Sequence, residues 1–211
     1  MTESTKNRYD GKMKRFGTQI FALCLVIGIV LIAGSRTVRG IDMAPSIMDG
    51  DRVWVVPGIE PLPGDVVMLA DPMDPAHTIL RRVLAIGGQS ITYDEGTIRV
   101  GKRRLRKQAM GDAEEHLVAQ ETLWAKKPER GHAWLTRQFA HPASRWSAEE
   151  VTVAEDALYV LADDRDTPLD SRWWGPIPRS AVQGVVRLRW GPEHTWRPNW
   201  EWLEGTAPIY P

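Results

Sequence analysis

Aspartate and arginine, rather than cysteine or histidine, are the residues whose placement can do chemistry in this chain. Its single cysteine, Cys24, cannot close an intramolecular disulfide, and no Cys/His pair stands at ligand spacing, so neither a zinc framework nor any other metal or cofactor site is expected. His77, His116, His132, His141 and His194 are scattered and read as loop or surface residues, leaving a Ser-His-Asp triad no motif to rest on. Acids, arginines and small hydroxyls instead gather in three segments: DMAPSIMDGDRVWV (Asp42–Val55), TILRRVLAIGGQSITYDEG (Thr78–Gly96) and ADDRDTPLDSRWWGPIP (Ala162–Pro178). Two chemistries are open to them. Asp42 with Asp163 or Asp164 would make a carboxylate pair able to share a proton and activate water. A carboxylate beside a guanidinium would instead make a charge-assisted and catalytically idle pair.

Those segments must be held by strands. Arg52–Val56 and Asp65–Leu69 are short β-rich runs bounded by Gly and Pro, and they read as neighbouring strands. Thr78–Ile86, Ser90–Tyr93, Thr97–Val100 and Lys102–Leu105 continue as a meander with turns at Asp94-Glu95-Gly96 and Gly101. The β pattern resumes at Val151–Val153, Leu158–Leu161 and Val182–Trp190. Between Arg106 and Glu150 the residues are charged, Trp-dotted and without clear alternation, which reads as a cap inserted into one sheet system.

A different solvent governs the start of the chain. Gly17 to Ser35 carries no charge, and at 1.5 Å per residue it makes roughly 28 Å of helix, about the thickness of a bilayer core. Lys6, Arg8, Lys12, Lys14 and Arg15 precede it with Asp10 the one acid near the helix, which predicts a cytoplasmic N-terminus. The run is longer than the core of a cleaved signal peptide and has no polar face, so a membrane anchor is expected. The predicted order is a basic N-terminus (1–16), a transmembrane helix (17–35), a β domain (36–105 and 151–190), the inserted cap (106–150) and a Trp/Pro-rich segment (191–211). Lysines and arginines number 27 against 27 acids, and that balance gives nucleic acid no broad surface to bind.

In this order the three segments resemble the type I signal peptidase family of membrane-anchored serine proteases. The resemblance runs from Gly17 to about Trp190 and is most specific in Ala162–Pro178. It implies a mostly β fold, a signal-peptidase-like antiparallel β domain with an inserted cap behind one N-terminal transmembrane helix. It also implies a bacterial inner (plasma) membrane location, with the β domain periplasmic or extracellular.

Activity does not follow from the resemblance. The family attacks with a serine that opens the first segment and uses as base the lysine of a Lys-Arg pair in the second. Aligned on Met43, Pro45, Gly50 and Asp51, the serine position holds Asp42; aligned on Arg82, the lysine position holds Arg81. A Ser-Lys dyad needs an amine that is neutral near pH 7–8. A guanidinium ionises above ~12, and removing its proton at pH 7 costs on the order of 7–9 kcal/mol. No catalytic residue is therefore expected, and Asp42 and Arg81 are expected to form a salt bridge. If that pair is buried, losing one partner costs about 3–5 kcal/mol.

Neighbouring family positions have changed too. The oxyanion-hole serine falls on Gly40, which supplies a backbone amide but no hydroxyl, and the serine near the base falls on Pro168. Ala162 and Asp164 replace the family's glycine and asparagine, whereas Arg82, Asp163, Arg165, Asp166, Asp170, Ser171, Arg172, Trp174 and Gly175 are kept as structural positions. Ser46 takes the hydroxyl position after proline, with no lysine at the base position to activate it. By resemblance a peptide groove maps to Val38, Gly40, Ile41, Met43, Ile47, Ile79 and Leu80, although Ile47 and Ile79 read equally well as core.

The first reading is thus an inactive, membrane-anchored signal-peptidase-like protein that binds secreted precursors or an active peptidase partner. An active peptidase and a structural part of an envelope or secretion assembly are the alternatives. Trp173, Trp174, Trp190, Trp196, Trp200 and Trp202 cluster late in the chain, where core packing and contact with membrane lipid are both open.

Overall fold

Among the described residues the chain builds three antiparallel sheets, the largest of them rich in Val, Ile and Leu. The computed structural model describes residues 18–22, 34–94, 97–113, 116–123, 132–139, 147–166, 169–191 and 200–202. Residues 36–211 form one unit and residues 1–35 another. The largest sheet has the order β1-β2-β14-β3-β4-β12-β13, with β15 also on β14. Its members are β1 (Ser35–Thr37), β2 (Arg52–Val56), β3 (Val66–Ala70), β4 (Thr78–Ile86), β12 (Ala157–Leu161), β13 (Ile177–Pro178), β14 (Val182–Trp190) and β15 (Trp200–Trp202). A second sheet has the order β11-β5-β6-β7, from β5 (Ser90–Asp94), β6 (Thr97–Val100), β7 (Arg103–Arg104) and β11 (Ser147–Thr152).

β2 and β3 are not neighbours. β14 lies between them, pairing Val185 with Val56 on one side and with Val67 on the other. The Pro-rich linker from Pro57 to Gly64 cannot close a tight hairpin, so the partner that fills the gap comes from the far end of the chain. Gly184 makes the fit possible, since a Cβ there would sit 2.7 Å from Val55 Cγ1 and 2.8 Å from the Val56 carbonyl oxygen. The meander is divided as well: β5, β6 and β7 follow one another in the second sheet, while β4 belongs to the first.

Residues 106–139 supply a third sheet, β10-β9-β8, from β8 (Arg106–Ala113), β9 (His116–Leu123) and β10 (His132–Phe139). A register shift between Ala109 and Gly111 interrupts the period-two pattern of β8, while β9 and β10 pair in continuous register. β11 begins at Ser147, ahead of the Val151 at which alternation resumes.

Val67, Leu69, Val83, Leu158, Val160 and Val185 form the core of the first sheet. Leu84, Ile91, Tyr93, Ile98, Trp134 and Tyr159 form a second cluster, and Met43, Ile47, Val53, Val66 and Val186 a third beneath the turn that follows β1. Each such side chain contributes about 1.5–3 kcal/mol by leaving water. Among the described residues no helix is long and apolar enough to cross a membrane. The expected spanning helix lies outside the described residues except for 18–22, which is helical, and 34–35. The basic segment 1–16 and most of 191–211 also lie outside them.

Candidate functional site

Arg81 sits on β4 opposite Val67 of β3, with its side chain 2% exposed. Its three nitrogens each donate once: Nε to the Leu169 carbonyl at 2.9 Å, Nη1 to the Leu80 carbonyl at 2.6 Å, and Nη2 to Asp42 Oδ2 at 2.9 Å. Trp174 lies 5.9 Å from the guanidinium, within cation–π range. Asp42 occupies the turn after β1, closed by Ala44 N to Ile41 O at 2.9 Å and Ile47 N to Met43 O at 2.8 Å. That turn is pinned to the third segment where Asp164 N donates to the Asp42 carbonyl at 2.9 Å. The two residues that the sequence leads us to expect as a salt bridge therefore meet as an ion pair. It is half-buried rather than buried, because the Asp42 side chain is 43% exposed.

The adjacent Arg82 serves the scaffold. Its Nε and Nη2 grip Asp163 bidentately at 2.7 and 2.5 Å, and Nη1 donates to the Gly64 carbonyl at 2.8 Å. Successive side chains of a strand point to opposite faces, so a tandem Arg-Arg sends one guanidinium to Asp42 and the other to Asp163. Asp170 caps the short helix α1 (Ser171–Trp174) through Arg172 N, also accepts from Ala162 N at 3.1 Å, and pairs with the Arg172 side chain at 2.7 Å. Burial acts to lower the Arg172 pKa, but the bonds and charge of Asp170 outweigh it and hold the guanidinium above its usual value. Ser171 Oγ accepts from Val160 N at 3.0 Å, tying the same helix to β12.

The other candidate catalysts are occupied. Ser46 Oγ donates to the Leu135 carbonyl at 2.8 Å. Asp163 is held by Arg82, and Asp164 by Arg137 Nε and Nη2 at 3.0 and 2.6 Å. The Gly40 amide donates to Asp49 Oδ1 at 2.8 Å. Pro168 lies outside the described residues. Among the described residues no group of His, Cys, Asp or Glu could hold a metal ion.

A groove of about 390 Å³ opens beside Asp42. Val38, Gly40, Met43, Ile79 and Leu80 line it together with Asp42 and Arg81. Ile47 does not; it is fully buried in the third core cluster. Ile41 is 52% exposed and also lies off the lining. Sequence reasoning missed Arg36 and Arg39 in the groove, and Glu121, Trp134 and Arg137 in the third sheet. Glu121 pairs with Arg165, both 3% exposed, and Trp134 lies 5.1 Å from the Arg82 guanidinium. Nothing in the alternation of residues 106–139 marks these positions.

The antiparallel β fold thus holds an Asp-Arg ion pair beside a groove that is lined in part by apolar residues. The family model "Signal peptidase, peptidase S26" matches residues 13–191, and the chain belongs to that family. It is similar to signal peptidase I of Aquifex aeolicus, at 24% identity over 79% of this chain and 80% of that protein. It is also similar to signal peptidase I of Streptococcus pneumoniae, at 22% identity over 88% of this chain and 96% of that protein. The crystal structure of a signal peptidase I from Enterococcus faecalis matches with a TM-score of 0.39 and 18% identity, over 60% of this chain and 97% of that one.

Proposed function

We propose that this protein is a membrane-anchored member of the signal peptidase family that binds an extended segment of a secreted precursor, or of an active peptidase, without hydrolysing it. The observation that carries the reading is the 2.9 Å bond between Arg81 Nη2 and Asp42 Oδ2 at the dyad positions. Hydrolysis by the family's route needs a hydroxyl nucleophile and a neutral base. A carboxylate hydrogen-bonded to a permanently charged guanidinium supplies neither. The groove beside the pair keeps the apolar walls an extended peptide requires. The hydrophobic run 17–35 supports the anchor, and the basic residues before it support a cytoplasmic N-terminus.

The test is cleavage of a signal-peptide-bearing precursor in detergent by the natural protein and by the double variant Asp42→Ser plus Arg81→Lys. The expected result is silence from the natural protein and cleavage by the variant. Cleavage by the natural protein that Asp42→Ala abolishes would overturn the reading and make Asp42 a participant in an active peptidase.

A further inference from the structure

The groove carries charge as well as apolar surface, and the charge is uneven. One carboxylate lines it, that of Asp42, against three guanidiniums, those of Arg36, Arg39 and Arg81. Arg81 is neutralised by Asp42. The Arg36 and Arg39 side chains are exposed and make no hydrogen bond or ion pair with any described residue, leaving two positive charges in surplus. His77 at the rim is already bonded to Asp74 at 2.8 Å.

Backbone is also exposed to a ligand. Among the described residues β1 pairs on one side alone, with β2. β4 pairs with β3 from Thr78 onward, but its pairing with β12 starts at Arg82, so Thr78–Arg81 has one edge without a strand partner among the described residues. An extended chain laid in the groove can thus make main-chain bonds while alternate side chains meet Val38, Met43, Ile79 and Leu80.

From this the geometry points to an acidic extended peptide as the ligand, its carboxylates against Arg36 and Arg39. The inference rests on the groove binding a peptide, and it adds the charge of that peptide.

Its test uses the full-length chain in detergent and rhodamine-labelled alanine-rich peptides of equal length, read by fluorescence anisotropy. The peptides carry two Glu, two Gln or two Lys. The Glu peptide is expected to bind about tenfold tighter than its Gln counterpart at low salt, an advantage that high salt removes. Arg36→Gln plus Arg39→Gln is expected to erase it. Equal binding of Glu and Gln peptides, or a Glu advantage that survives loss of both arginines, overturns the charge preference and leaves peptide binding in place. Binding of none of the peptides overturns both.

Discussion

Arg81 and Asp42 share a 2.9 Å bond across very different environments, the guanidinium 2% exposed and the carboxylate 43% exposed. The pair is therefore asymmetric. Without Asp42, Arg81 keeps the Leu169 and Leu80 carbonyls as acceptors; without Arg81, Asp42 turns to water and the Leu169 carbonyl loses its donor. Loss of the Asp42 charge leaves the buried Arg81 guanidinium uncompensated, with the two carbonyls as its acceptors. Asp42→Asn keeps an acceptor but not the charge and is expected to lower the unfolding free energy by about 2–4 kcal/mol, and Arg81→Ala, which empties a packed site and leaves Asp42 to water, by a similar amount. Urea unfolding followed by tryptophan fluorescence measures both. A loss below about 1 kcal/mol in Asp42→Asn would mean that Arg81 does not depend on the carboxylate for charge compensation.

Arg82 and Asp163 are the opposite case. Their side chains are 6% and 0% exposed, both carboxylate oxygens are engaged, and Trp134 covers the guanidinium. Asp163→Ala strands a buried cation and is expected to cost about 3–5 kcal/mol. Arg82→Lys keeps the charge but loses the fork, and is expected to destabilise as well. In a double-mutant cycle, Arg82→Met with Asp163→Ala should cost less than the two single changes together. Additive costs would mean the two side chains act independently.

Much of the first sheet is legible because its strands obey a local rule. Arg52–Val56, Thr78–Ile86 and Val182–Trp190 stand where alternation and Gly/Pro punctuation place them. The position of β14 between β2 and β3 is not legible, since strand order is decided by pairings distant in sequence. The meeting of Asp42 and Arg81, 39 positions apart, follows from aligning each with a known motif and not from any periodicity. Arg137 with Asp164 and Glu121 with Arg165 span 27 and 44 positions, and no motif marks the third-sheet partner of either pair. Ile47 was ambiguous because an apolar residue in a turn serves a groove or a core equally well, and only the packing on Val53 and Val186 decides between them.

The third sheet is latched to the Ala162–Pro178 segment, and Glu121 is the latch with the least redundancy. Arg165 pairs with it while Arg165 Nε and Nη1 are buried without a hydrogen-bond partner among the described residues. Removing the carboxylate leaves a buried guanidinium uncompensated, whereas Arg137 would still bridge to Asp164. Glu121→Ala is expected to speed amide hydrogen exchange in β8, β9 and β10 by at least about tenfold and to leave β2 and β14 unchanged. Uniform acceleration across all three sheets would show that Glu121 supports global stability instead.

Tyr159 sets an alkaline limit on stability. Burial on β12, reinforced by the nearby Asp170 carboxylate, pushes its phenol up from 10.0 to about 12. The folded protein thus holds the phenolic proton more tightly than the unfolded chain. A raised folded pKa contributes stability that is fully present below the unfolded value and is lost as pH climbs through the folded one. Tyr159 should therefore contribute a fall in unfolding free energy between about pH 10 and pH 12. Tyr159→Phe, which keeps the ring in the second core cluster but has no proton to lose, should flatten that part of the profile. The check is urea midpoints for both proteins from pH 8 to 12, with lysine titration common to the two and cancelling in the difference. Parallel curves through this window would place the phenol in contact with water and contradict its burial.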